Sequence, residues 1–322
     1  MNKQYLNFRT DMADERVDTY KRVHNLTEID GVQVVSKSHD GVTTTTVNVL
    51  NQNGANAVSK QIGKYVTMQI EDLHYLEEDG KNDIVEKVSE EIKELIGTDS
   101  QKSILIVGLG NVYVTPDALG PKVVQNIDIT RHIINFAKEL VTSDTRSVSA
   151  ISPGVLGTTG IETSEIVSSI VAKTKPDIII VIDSLASQSV HRIGNTIQLS
   201  NTGITPGAGV RNKREGINQE TLGIPVIAIG VPTVVDMATI TNEAIDKLVD
   251  NTKSEFNDFS NDNINESVTT KVFERLNTDT RYDMIANILD TENYIVTPKE
   301  IDDVISNVAS IISKSINVAI GN

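Results

Sequence analysis

Three stretches of this sequence are apolar almost without interruption: "SILIVGLG" (103–110), "PDIIIVIDSLA" (176–186) and "IPVIAIGVP" (224–232). Their apolar parts stop at Gly108, Asp183 and Pro232. A short run that neither alternates nor repeats at helical spacing suits a strand covered on both faces, as in a parallel sheet with helices above and below. The intervals between the runs are long enough for crossover helices. "SVSAISPG" (147–154) reads as a shorter strand of the same kind, followed by a helix from about Glu162. The fold class expected is therefore α/β, doubly wound around a mostly parallel sheet.

Other segments attach to that core. "GVQVVSKSHDGVTTTTVNVL" (31–50) alternates apolar and polar residues around Asp40-Gly41, the pattern of a β-hairpin, and "GKYVTMQIE" (63–71) adds a strand. Residues 31–72 thus form an added β-rich part. Ile84, Val85, Val88, Ile92, Leu95 and Ile96 fall at helical spacing, as do Ile301, Val304, Ile305, Val308, Ile311, Ile312 and Ile316 near the end. Residues 192–223 are glycine-rich and polar with one alternating strand, "TIQLS", and read as a loop-rich insertion. A helix is expected near 241–252 and a linker-like, Asn/Asp-rich segment at 255–266. Residues 1–30 are polar without a consistent period and read as an exposed arm.

Composition closes off several classes of function. With 322 residues, 39% of them hydrophobic, the chain supports one large domain. It has no cysteine, which excludes disulfides, thiolate catalysis and zinc–thiolate sites and fits an intracellular location. A net charge of −15 argues against direct binding to nucleic acid. No apolar run is long enough to span a bilayer, so no membrane partner is expected. The five histidines (His24, His39, His74, His132, His191) form no H-E-x-x-H motif or close pair, and no G-x-S-x-G elbow occurs.

Two aspartates stand out by position. Asp117, in "VTPDALGP", and Asp183, in "VIDSLAS", each follow one of the long runs. In doubly wound folds ligands bind beyond the carboxyl ends of the strands, where the winding reverses. Each residue alone also reads as a helix cap; Thr115-Pro116-Asp117 has the order of a helix opening. As a pair on one rim they do something a cap does not. Two carboxylates sharing a site cannot both ionise cheaply, so one holds a proton while the other acts as a base. From these residues alone both readings stay open. Glu162 and Asp236 follow other strands and read as caps or supporting acids on the same rim. Gly108-Leu109-Gly110 fails the dinucleotide fingerprint, because Tyr113 occupies the place of the third glycine, and a Walker A lysine is missing. The rim would equally serve a non-enzymatic α/β module that binds a small ligand or nucleotide.

Longer blocks narrow the choice. "FRTDMA" (8–13), "GKYVT" (63–67), "VGLGNVYVTPDALGPKVV" (107–124), "PGVLGTTGIETSEI" (153–166), "PDIIIVIDSLASQSV" (176–190), "TPGAGVRNKREGINQETLGIPVIAIGVPTVVD" (205–236) and "VTPKEID" (296–302) occur in one order across nearly the whole chain. In these blocks the sequence resembles the bacterial spore germination proteases. The resemblance implies an endopeptidase that initiates degradation of the small acid-soluble, DNA-binding proteins of spores. It implies a homotetramer in the cytoplasm of the forespore and spore core, with a fold similar to the hydrogenase-maturation proteases. It assigns the catalytic pair to Asp117 and Asp183, and Gly108, Gly110 and Asn111 are then expected to shape a loop whose N–H groups stabilise an oxyanion. The resemblance also implies a self-processing zymogen: residues 1–11 would be a propeptide cut between Asp11 and Met12, and 12–322 a single protease domain. Fold relatives hold a metal with two acids and a histidine. The matching loop here, "GVPTVVD", has no histidine, so no metal or other cofactor is expected.

Overall fold

The computed structural model describes residues 10–97, 99, 101–142, 145–205, 215–245, 284–285 and 294–321. Their strands form one sheet: β1 (Val32–His39), β2 (Val42–Val49), β3 (Gly63–Ile70), β4 (Ile104–Gly108), β5 (Val148–Ile151), β6 (Ile178–Ser187), β7 (Thr196–Ser200), β8 (Val226–Asp236) and β9 (Ile295–Val296). The spatial order is β1-β2-β3-β7-β8-β6-β4-β5, with β9 paired to β8. Neighbours among β5, β4, β6 and β8 are parallel. The remaining pairings, through β7 and β3 to the β1–β2 hairpin, are antiparallel.

The continuous apolar runs explain the layering. Ile104, Ile106, Ile178, Ile180, Ile182, Ile227 and Ile229 face one core, shared with the helices Glu78–Ile96 and Ile301–Ile320. Leu105, Val107, Ile179, Val181 and Val226 face the other, shared with Val167 and Val171 of the helix Thr163–Thr174. Both faces are buried, so no position in these strands tolerates a polar side chain until the rim. From β4 the chain winds outward to β5, then crosses to β6 on the other flank of β4. The winding reverses between β4 and β6, and the crevice at their carboxyl ends is the fold's natural binding place.

The hairpin forms as its pattern predicts: Val32 pairs with Val49 and His39 with Val42. Asp40 and Gly41 both adopt positive φ (48° and 70°), the backbone of a two-residue turn whose twist matches the strands. The helix Glu78–Ile96 buries Ile84, Val85, Val88, Ile92 and Ile96. Acidic Glu78 and Asp79 lie in its first turn and Lys93 in its last, complementing the helix dipole. None of the described helices is long and apolar enough to cross a membrane.

Four sequence expectations are corrected. Residues 13–24 are not an exposed arm but a helix, α1 (Ala13–His24), with Ala13 and Val17 packed on Val47, Val49 and Tyr65. Its period is hidden because the buried face also carries Asp14 and Glu15, which share the guanidinium of Arg192 at 2.8 and 3.3 Å. "TIQLS" is not part of a peripheral insertion. It is β7, buried at all five positions, and it joins the β-rich half to the parallel half. Asp183 does not follow its strand but lies inside β6, because pairing with β8 continues to Ser187. The expected helix near 241–252 begins earlier, at 237, and is described to 245; the 255–266 segment lies outside the described residues.

The α1 cluster has a pH consequence. Two carboxylates compete for one guanidinium in a buried place, and burial pushes the Glu15 carboxyl up to about 7, against Arg192 and hydrogen bonds from Thr10 and the Gln188 N–H. The folded state then binds a proton that the unfolded state has released, between about pH 4.5 and 7. Stability contributed by this group therefore rises as pH falls through that window, and the cost of an ionised Glu15 is complete above pH 7. Glu15→Gln is expected to flatten this dependence and to raise stability at pH 8 by about 1–3 kcal/mol. Urea unfolding of both proteins at pH 5 and pH 8 checks it.

Candidate active site

The rim is built by glycines that let backbone touch backbone. A Cβ on Gly108, the last residue of β4, would lie 2.2 Å from the Gly120 carbonyl oxygen, and one on Gly120 would lie 2.3 Å from that of Leu109. Two absent side chains thus let the segment after β4 fold back onto the strand end. Gly110 has φ +114°, and a Cβ there would lie 2.0 Å from the Asp117 carbonyl oxygen. Within the loop, Val114 N–H donates to Asn111 O (3.0 Å) and Asp117 N–H to Val114 O (2.8 Å), closing the tight turn Thr115–Asp117. Thr115 is not the N-cap its sequence context suggests; its hydroxyl donates to Asp302 at 3.1 Å.

Asp117 is held from inside this loop, its Oδ2 accepting the Asn111 N–H at 2.8 Å. That N–H therefore orients the carboxylate and is already engaged. Gly108 packs against Gly120, and only Gly110 and Asn111 of the three expected loop residues line the cleft. Asp183 arrives from the neighbouring strand. Ile182 pairs with Gly108, the last residue of β4, so Asp183 is the first residue of β6 beyond that strand's end. On its other side it stands opposite Gly230 of β8, and its Oδ1 accepts the Ser184 N–H at 2.9 Å.

Asp117 and Asp183 line one cleft of about 550 Å³ at the switch point, joined there by Asp11, Lys60, Tyr65 and Gln198. Asp11 is docked by its backbone and side chain together. Its N–H donates to Ala186 O at 2.8 Å, and its Oδ2 accepts the Ala186 N–H at 2.9 Å. Its carbonyl oxygen accepts from Lys60 Nζ at 2.5 Å and Gln198 Nε2 at 3.2 Å. Met12, next in the chain, is wholly buried. Glu162 and Asp236 are not in the cleft lining. Glu162 precedes the helix Thr163–Thr174, and buried Asp236 caps the helix that starts at 237 by accepting the Thr239 N–H at 3.1 Å.

Lys60 and Gln198 are the site residues the sequence did not reveal. Lys60 lies 49 positions from the carbonyl it contacts, in no recognisable motif. Gln198 carried a faint signal, an amide between Ile197 and Leu199 in a strand that turns out to be buried throughout. Among the described residues the cleft's ionisable lining is Asp11, Lys60, Tyr65, Asp117 and Asp183, without histidine. Exposed His191 sits in the turn Val190–Arg192, outside the lining. Among the described residues no group of three or more His, Asp or Glu is placed to hold a metal ion.

Comparison with known proteins gives a consistent picture. A family model described as germination protease matches residues 9–287. The germination protease of Clostridium perfringens (strain SM101) is 44% identical over 321 residues, covering 98% of this chain and 95% of that protein. The germination protease of Caldanaerobacter subterraneus subsp. tengcongensis is 44% identical over 317 residues, with 98% and 94% covered. That of Bacillus cytotoxicus is 38% identical over 344 residues, with 97% and 93% covered. Among solved structures, the NiFe hydrogenase maturation protease HycI of Thermococcus kodakarensis KOD1 aligns over 44% of this chain and 80% of its own, at 21% identity and a TM-score of 0.30, too loosely to argue from. The sequence matches set aside a non-enzymatic ligand-binding module: the chain belongs to the germination protease family.

Proposed function

We propose that this protein is an endopeptidase that begins the degradation of small acid-soluble, DNA-binding spore proteins during germination. It works in the spore core as a homotetramer and is made as a zymogen that cuts itself between Asp11 and Met12. The observation that carries this reading is the docking of Asp11 in the cleft that also holds Asp117 and Asp183. An acidic residue followed by an apolar one and then alanine lies where a substrate would lie.

In this mechanism the two carboxylates share a proton. The ionised one takes a proton from water, the resulting hydroxide attacks the carbonyl carbon, and the protonated one delivers its proton to the leaving nitrogen. The pairing is supported by β4 ending one residue short of Asp183 and by the glycine loop that carries Asp117 folding back onto that strand end. The Ala186 N–H offers an acidic side chain a hydrogen bond, which favours cleavage after Asp or Glu. Incubation with an unstructured acid-soluble spore protein tests the reading. Defined fragments ending in an acidic residue are expected, and cleavage is expected to survive exhaustive chelation. Random degradation, or none, removes the proposal.

A further inference from the structure

The contacts around Asp11 divide its polar groups among three places. Ala186 takes the N–H and the carboxylate, while two side-chain donors converge on the carbonyl oxygen. Gln198 also turns its Oε1 to the Ala13 N–H at 2.7 Å, so this one amide grips the backbone on both sides of the Asp11–Met12 bond. A segment that merely plugged a cleft would be held well enough by neutral donors. Placing an ammonium there costs desolvation, which is offset where negative charge appears on the atom it faces. Of the loop residues expected for that duty, Asn111 has its N–H already engaged with Asp117.

We propose that Lys60 is a catalytic residue: its ammonium, helped by the Gln198 amide, holds the carbonyl oxygen of the residue preceding the scissile bond and stabilises the charge that develops on it. This rests on the reading that the Asp117–Asp183 pair cuts at Asp11–Met12. As water adds to the Asp11 carbonyl carbon, the C=O π pair moves onto oxygen, and Lys60 Nζ and Gln198 Nε2 keep their hydrogen bonds to it. The ionised carboxylate takes the water's proton. When the tetrahedral adduct collapses, the C–N bond breaks towards nitrogen, and the protonated carboxyl supplies the proton that completes the Met12 amine. Lys60 gives up no proton in this sequence. With residues 1–11 gone, the same donors meet the corresponding carbonyl of an incoming substrate.

The charge on Lys60 is pH-limited. Burial lowers its pKa to about 8; Asp11, Asp14 and Glu15 work against that and Arg16 adds to it, while the Tyr65 ring lies 5.8 Å from Nζ. Cleavage should therefore fall as pH rises through about 8.

Lys60→Met, Lys60→Arg and Gln198→Met, made in the full chain and in a chain starting at Met12, test the proposal. The readouts are the appearance of a Met12 terminus, kcat and KM for a peptide with the acidic–apolar–Ala order, the pH profile, and thermal unfolding. Lys60→Met is expected to lower kcat by about 10²–10³-fold with little change in KM, and its residual rate should lack the alkaline limb. Gln198→Met should cost about tenfold. Lys60→Arg should keep part of the rate and move the limb to higher pH. An unchanged kcat in folded Lys60→Met, or a loss confined to KM, overturns the proposal. If Lys60→Met does not fold, a limb that stays near pH 8 in Lys60→Arg does the same. Asp117→Asn separates the two levels of the account. If it is inactive while Lys60→Met is fully active, only the role of Lys60 falls; if both are active, the whole assignment of the cleft falls.

Discussion

Asp117→Asn and Asp183→Asn should each reduce peptide-bond cleavage by at least about 10³-fold while the protein unfolds at nearly the wild-type temperature. The substitution is isosteric, and an amide oxygen still accepts the hydrogen bonds seen here, from Asn111 N–H at position 117 and from Ser184 N–H at 183. What disappears is the ability to take or give a proton. Two structural caps would respond differently: Asn caps a helix about as well as Asp, so stability and activity would both be kept. The double variant should be no slower than either single one, because groups that act as a unit are non-additive. A peptide-cleavage assay beside thermal unfolding decides it, and normal turnover by either folded variant would falsify the pairing.

The second large effect is expected from residues 1–11. Asp11 occupies the cleft through its N–H, carbonyl and carboxylate at once, so substrate must displace it. A tethered segment acts at an effective concentration of the order of millimolar, so even micromolar intrinsic affinity suppresses binding in trans by about 10³-fold. A chain produced with Met12 first should therefore cleave added substrate at least about 100-fold faster than the uncut chain. Initial rates measured before any self-cleavage provide the comparison. Equal rates for chains with and without residues 1–11 would mean that Asp11 does not block the site.

How legible the site was depended on how local its causes are. β4, β6 and β8 announce themselves because both faces are buried, and the rule for strand ends in a doubly wound sheet then placed Asp117 and Asp183 on one rim without any contact being known. Where β6 stops was not legible. A strand ends where its partner stops pairing, and β8 carries β6 through a shift in register between Leu185 and Ala186 as far as Ser187, four residues beyond the first polar residue, Asp183. α1 was hidden for a similar reason. Asp14 and Glu15 look like solvent-facing acids until Arg192, some 180 positions away, is brought against them. Lys60 and Gln198 meet Asp11 only after β3, β7 and β6 have assembled, and neither stands in a motif that chemistry alone would single out.

The central claim is that Asp117 and Asp183 hydrolyse the bond whose carbonyl already lies in their cleft. Its most direct test is intact mass and N-terminal sequencing of wild type and Asp117→Asn after incubation at acid pH, where protonating one of the pair supplies the acid form. The account predicts a new terminus at Met12 in the wild type and none in Asp117→Asn. Trimming of the inactive variant at the same rate, or a new terminus elsewhere, would contradict it.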